Sequence, residues 1–188
     1  MSKQKQQSNS ELIKKPIIVK DGLARFLGHD PIVRIGRKYG YISAKTGEPL
    51  TPVKYDKAEN WTQIIDLSST EIFRYMACVK LGGKWGCINS SGEEIVPIKY
   101  EEIVLCGSLF DDEDPRIMAK LNGKWGFVSE NGVEVTAFEY DEVAIFREGR
   151  ARVKNNNKYG FIDNKGKIVI SLEYDDCEPY FFKQDGNS

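Results

Sequence analysis

The side chains with the most chemical reach in this sequence are one histidine, four cysteines and a short acidic run. His29 lies in "LGHDP", a loop-like setting, and no second histidine stands ready to share proton transfer or metal ligation. General acid–base catalysis relies most often on histidine, so the chain carries little material for it. No serine, histidine and aspartate recur in a setting suited to a triad, and no glycine-rich phosphate loop follows a strand. Cys78, Cys87, Cys106 and Cys177 show no CxxC spacing, which argues against zinc. The run Asp111, Asp112, Glu113 and Asp114 offers oxygen ligands, yet it lacks the ligand spacing and downstream glutamate of an EF-hand calcium loop. The residues therefore predict no enzyme, no metal and no cofactor.

What recurs instead is an aromatic residue beside a glycine. Four segments align on that pair: "GRKYGYISAKTGEPLTPVKYD" from 36, "GGKWGCINSSGEEIVPIKYE" from 82, "NGKWGFVSENGVEVTAFEYD" from 122 and "NNKYGFIDNKGKIVISLEYD" from 156. Tyr39, Trp85, Trp125 and Tyr159 open the four copies, and Tyr55, Tyr100, Tyr140 and Tyr174 close them, each followed by an acid. Self-similarity at this period is the signature of a repeat architecture. Repeated aromatics with cations nearby also suggest a stacking surface for sugars or single-stranded nucleic acid. An aromatic at a fixed place in every unit is more often structural.

The elements follow from the turns. Gly-Gly, Asn-Gly and Asn-Asn before the Lys-aromatic pair suit the positive-φ positions of a two-residue hairpin turn. In the third copy that register sets Lys120 opposite Trp125, Ala119 opposite Gly126 and Met118 opposite Phe127. The same counting pairs Lys80 with Trp85, Lys154 with Tyr159, Arg34 with Tyr39, and Cys78 with Cys87, the last two as free thiols in a reducing compartment. Period-two alternation places Ala77, Val79, Gly86 and Ile88, and likewise Ala151, Val153, Gly160 and Ile162, on the opposite face. The glycine of each aromatic–Gly pair leaves room there for a neighbouring layer to reach the backbone.

Gly47, Gly92, Gly132 and Gly166 suit the left-handed position of a second turn. A short strand follows it, and then a fourth run after the Tyr-acid step: "KAENW", "EIVLC", "EVAIF" and "CEPYF". Only the insert near 63–73 reads as helical. The predicted fold is all-β: four units of short antiparallel strands in an open curved array, with a closed propeller-like arrangement as the competing solution. Residues 1–15 read as a disordered polar leader, 16–183 as one repeat domain with cores near 31–56, 76–101, 116–141 and 150–175, and 184–188 as a polar tail.

Spacing between successive aromatic–Gly pairs falls from 46 to 40 to 34 residues. The surplus chain falls between the fourth run of one unit and the hairpin of the next, as "TQIIDLSSTEIF" after Trp61 and "GSLFDDED" after Cys106, with "RFLGHD" before the first full copy. Insertions at one point of a repeat emerge along one edge. Three adjacent loops are expected there, displaying Phe26, Leu27, Trp61, Ile64, Ile65, Leu109, Phe110 and the acids Asp111, Asp112, Glu113 and Asp114.

"GKWG", the polar turn ending in glycine and the closing "YD" or "YE" resemble the WG-repeat, or KWG-repeat, family of bacterial proteins. "FREGRARVKNNNKYGFID", residues 146–163, matches its longer pattern, and "KDGLARF" from 20 keeps part of it. The resemblance covers roughly residues 17–182, is tightest in the last three copies, and implies a β-rich scaffold with no agreed catalytic site.

A net charge of −1 gives no global field to recruit nucleic acid, and no apolar run approaches the roughly 20 residues of a membrane span. Nothing in the opening residues resembles a signal peptide, so the cytoplasm is the expected compartment. The function expected is a non-catalytic module that binds another protein along the inserted edge. An immunity protein or antitoxin covering a basic toxin cleft with "FDDEDP" is the narrower alternative. A carbohydrate- or nucleic-acid-binding platform or an enzyme trails both.

Overall fold

A computed structural model of the chain describes residues 30–65, 73–106 and 116–177. The described residues hold β-strands and turns and no helix. Their turns explain why. Gly82 and Gly83, Asn122 and Gly123, and Asn156 and Asn157 all have positive φ, as does Gly36 in the first copy. That geometry matches the right-handed twist of the flanking strands and closes each hairpin in two residues.

Four hairpins result: β1 (Ile32–Ile35) with β2 (Lys38–Tyr41), β5 (Phe73–Leu81) with β6 (Lys84–Asn89), β9 (Arg116–Leu121) with β10 (Lys124–Ser129), and β12 (Arg150–Asn155) with β13 (Lys158–Asp163). Their registers are those the turns dictate. Arg34 faces Tyr39, Lys80 faces Trp85, Lys120 faces Trp125 and Lys154 faces Tyr159. Gly47, Gly92, Gly132 and Gly166 also have positive φ and turn the chain back along its hairpin. The returning segment forms β7 (Glu94–Tyr100) in the second copy and β14 (Ile168–Tyr174) in the fourth. In the first and third it makes isolated bridges, Tyr39 to Tyr55 and Trp125 to Tyr140.

The fourth run does not stay with its own unit. β3 (Lys57–Ala58) pairs with β5, β8 (Glu102–Leu105) with β9, and β11 (Glu142–Val143) with β12. Each is the edge strand of the next copy's sheet, giving the orders β3-β5-β6-β7, β8-β9-β10 and β11-β12-β13-β14. None of these sheets closes on itself among the described residues. β4 (Thr62–Ile65) also pairs with β5, off the main strand order. The helical reading of 63–73 is thus corrected, since its ends are strand; residues 66–72 lie outside the description. "TQII" is rich in β-branched residues, and pairing with a ready strand outweighs any weak helical period.

The chain divides into two compact units, Met1–Gln63 with Arg74–Ile98, and Ile64–Phe73 with Lys99–Ser188. Each has a core made between consecutive repeats. In the first, Ala77, Val79 and Ile88 of the second copy pack with Tyr41 and Tyr55 of the first. In the second, Ala151, Val153 and Ile162 of the fourth copy pack with Met118, Phe127 and Tyr140 of the third. Small and β-branched side chains on one copy thus receive the aromatics of the copy before it, which is close-packed burial rather than a flat contact.

The aromatic–Gly pair has a more local reason than the expected neighbouring layer. A Cβ built on Gly86 would lie 2.5 Å from the Val96 carbonyl oxygen, and one on Gly160 2.6 Å from that of Ile170. At Gly40 and Gly126 the nearest atoms are the carbonyl oxygens of Pro52 and Ala137, each at 3.0 Å. What approaches is the returning segment of the same repeat, which crosses directly over the glycine.

Candidate functional site

The closing acid of each copy is the most consistently placed polar group. Asp56, Asp141 and Asp175 receive the Nζ of the lysine that precedes their own copy's aromatic: Lys38 at 2.5 Å, Lys124 at 2.5 Å and Lys158 at 2.6 Å. The acids also reach the following copy. Gly82 N–H donates to Asp56 Oδ2 at 2.7 Å, Gly123 N–H to Glu101 Oε2 at 2.9 Å, and Asn156 N–H to Asp141 Oδ2 at 2.9 Å. One carboxylate therefore holds its own hairpin and the turn of the next.

These partners stabilise the charged form. The Lys38 ammonium and then the Gly82 N–H hold the Asp56 carboxyl below its ordinary value, as Lys124 and the Asn156 N–H do for Asp141. Because the folded-state value is the lower one, the contribution to stability is complete above the unfolded carboxylate pKa. It is lost as pH falls through that value and then through the depressed one.

Recurring aromatics are committed within the sheet. Lys80 Nζ lies 5.4 Å from the Trp85 ring centre, Lys120 5.5 Å from Trp125 and Lys154 5.0 Å from Tyr159. Two of those lysines are also ion-paired with the edge strand, Lys120 to Glu102 at 3.1 Å and Lys154 to Glu142 at 2.8 Å.

Cys78 and Cys87 face each other with sulfurs 3.7 Å apart, both buried and both free thiols. The contact with Cys78 and then burial push the Cys87 thiol upward, which keeps it protonated and poorly nucleophilic. Burial pushes Cys106 up to about 11.

The expected partner edge is placed only in part. Trp61 is corrected: it is 8% exposed and belongs to the core. Its indole N–H donates to the Asp30 carbonyl at 2.8 Å, its ring lies 4.9 Å from that of Tyr41, and the Tyr41 hydroxyl donates to the Glu59 carbonyl at 2.6 Å. An indole with its one donor satisfied packs better than it would stand in water. Ile64 and Ile65 are in β4. Phe26, Leu27, Leu109, Phe110, Asp111, Asp112, Glu113 and Asp114 lie outside the described residues, as does His29. The surplus chain does leave from one topological point, after β3 and after β8, the edge strand each copy gives to the next.

Segments 85–125, 125–159 and 159–186 match, in succession, the model of the WG containing repeat. The chain belongs to the WG-repeat family. The match spans more than half of its residues. The first copy lies outside the matched segments, yet Tyr39 and Tyr55 exchange two backbone hydrogen bonds at 2.9 and 3.1 Å, as Trp125 and Tyr140 do at 2.8 and 3.2 Å. In structure it is a WG repeat with tyrosine in place of tryptophan. No curated protein matches the chain. Among the described residues no helix is long and apolar enough to cross a membrane.

Sequence reasoning missed the second task of the closing acid. Its recurrence in all four copies was the available signal. The distance to its turn donor varies, from Asp56 to Gly82, Glu101 to Gly123 and Asp141 to Asn156, because the insertions intervene.

Proposed function

We propose that this WG-repeat chain is a non-catalytic protein-binding module that works in the cytoplasm and holds its partner with the segments inserted between repeats. The observation that carries the reading is the shared exit point: both long insertions begin where one copy's edge strand ends, before the hairpin that strand completes. The last such connection, after β11, is only residues 144–149. Scaffold positions are spent on packing and on the acid–turn bonds, so variation is cheapest in these connections.

Ile64, Ile65, Leu109 and Phe110 supply apolar anchors, and the segment before the first full copy carries two more, Phe26 and Leu27. Asp111, Asp112, Glu113 and Asp114 supply a compact negative charge. Apolar anchors next to one sign of charge suit a protein partner with a basic rim around a hydrophobic pocket. A basic toxin domain neutralised by this chain is one such partner.

The test is affinity capture at low and high salt with the native chain and with Asp111→Asn, Asp112→Asn, Glu113→Gln and Asp114→Asn combined. The expected result is a specific basic partner whose recovery drops roughly tenfold or more in the neutralised variant and in high salt. Equal recovery by both chains, or no specific partner, would remove the reading.

A further inference from the structure

The junction between consecutive repeats is built from the same parts each time. The closing acid donates its backbone N–H to the carbonyl of the cation on the next hairpin: Asp56 to Lys80 at 2.7 Å, Glu101 to Lys120 at 2.8 Å and Asp141 to Lys154 at 2.8 Å. Its carboxylate takes the turn N–H, as described above. The residue after the acid then sits opposite that cation: Lys57 opposite Lys80, Glu102 opposite Lys120 and Glu142 opposite Lys154. The two glutamates make ion pairs there.

The fourth copy presents the giving half of this junction exposed to solvent. Tyr174 is 47% exposed, whereas Tyr55, Tyr100 and Tyr140 are 2%, 0% and 3% exposed. The Asp175 side chain is 90% exposed, against 38% and 40% for Asp56 and Asp141, although it keeps its own lysine. Asp176, also exposed, occupies the position of Glu102 and Glu142. Ile168 and Val169, on the same returning strand, are 48% and 44% exposed.

The first copy presents the receiving half. Among the described residues β1 pairs only with β2, whereas β5, β9 and β12 each carry an edge strand from the copy before. Arg34, exposed, stands where Lys80, Lys120 and Lys154 stand, and Gly36 stands where Gly82 and Asn156 stand. Ile35 beside it is 37% exposed.

We propose that the chain associates head to tail with a second copy of itself, continuing its internal junction between molecules. Asp175 accepts from the Gly36 N–H of the second copy and gives its own N–H to the Arg34 carbonyl. Asp176 then faces Arg34 as Glu142 faces Lys154, with opposite charges meeting at the place where two of the three internal junctions form ion pairs. Two matching halves on one chain make a heterologous contact, so association continues into longer assemblies unless a ring closes. None of the residues named at this junction belongs to the inserted segments.

Light scattering coupled to size exclusion, on the full chain over a wide concentration range, tests the proposal. The expected mass rises with concentration above the 21.4 kDa of one chain. Arg34→Glu and Asp176→Arg each place like charges at the junction, and each variant alone is expected to remain monomeric with an unchanged circular dichroism spectrum. Mixing the two restores opposite charges at every contact and is expected to restore association. A native chain that stays monomeric at every concentration overturns the proposal. So do single variants that associate as strongly as the native chain, and a mixture that fails to recover.

Discussion

Gly86→Ala is expected to lower the folding stability of its unit by about 3 kcal/mol, read as a large shift in the denaturant midpoint. The reason is the 2.5 Å between a Cβ at this position and the Val96 carbonyl oxygen, with Ile98 Cα at 2.9 Å and Ile98 Cγ1 at 2.7 Å. Two of these three atoms are backbone, so no rotamer change relieves the contact. The returning strand must lift from β6, and with it go the burial of Val96 and the hydrogen bonds it makes to the hairpin. Gly123→Ala is the control. A Cβ there meets nothing within 4 Å and suffers only the positive φ of 77°, a cost of about 1 kcal/mol. A Gly86→Ala chain no weaker than the control would show that the close crossing is not what the aromatic–Gly pair is for.

Phe127→Ala carries the other large effect, an expected loss of about 3–5 kcal/mol in the second unit. Phe127 is fully buried and meets Phe146 edge-on at 4.8 Å, among Met118, Tyr140, Ala151, Val153 and Ile162. Four of these neighbours, Phe146, Ala151, Val153 and Ile162, follow the third repeat in the chain and build the hairpin side of the next. The cavity therefore opens between repeats rather than within one. Urea unfolding followed by circular dichroism measures it, and Phe127→Leu, which refills most of the volume, is expected to recover a large part of the loss. A loss below about 1 kcal/mol would mean the repeats do not depend on each other's packing.

Much of this structure is written within short reaches of sequence. Asn122–Gly123 fixes the turn, the turn fixes Lys120 opposite Trp125, and alternation then assigns Ala119 and Phe127 to the buried face. Cys78 opposite Cys87 followed from the same counting. What stayed hidden depends on partners whose distance varies. Glu142 pairs with Lys154 across 12 residues, but Lys57 pairs with Lys80 across 23, because an insertion lies between. Trp61 is buried for a related reason: its indole partner is the Asp30 carbonyl, 31 residues earlier and ahead of β1. An aromatic in an insertion looks displayed until the backbone group that satisfies it is known. The candidate partner edge was legible as sequence departing from the repeat, and the structure adds the shared point from which that departure begins.

The closing acid of one repeat fastens the turn of the next. A pH titration followed by NMR tests it most directly, using the side-chain carboxyl signals of Asp56 and Asp141 and the amide protons of Gly82 and Asn156. Each amide is expected to move together with its own acid, at a pH below the ordinary aspartate range and ahead of global unfolding. Amides that do not respond to those acids, or acids that titrate at the ordinary value, would contradict it.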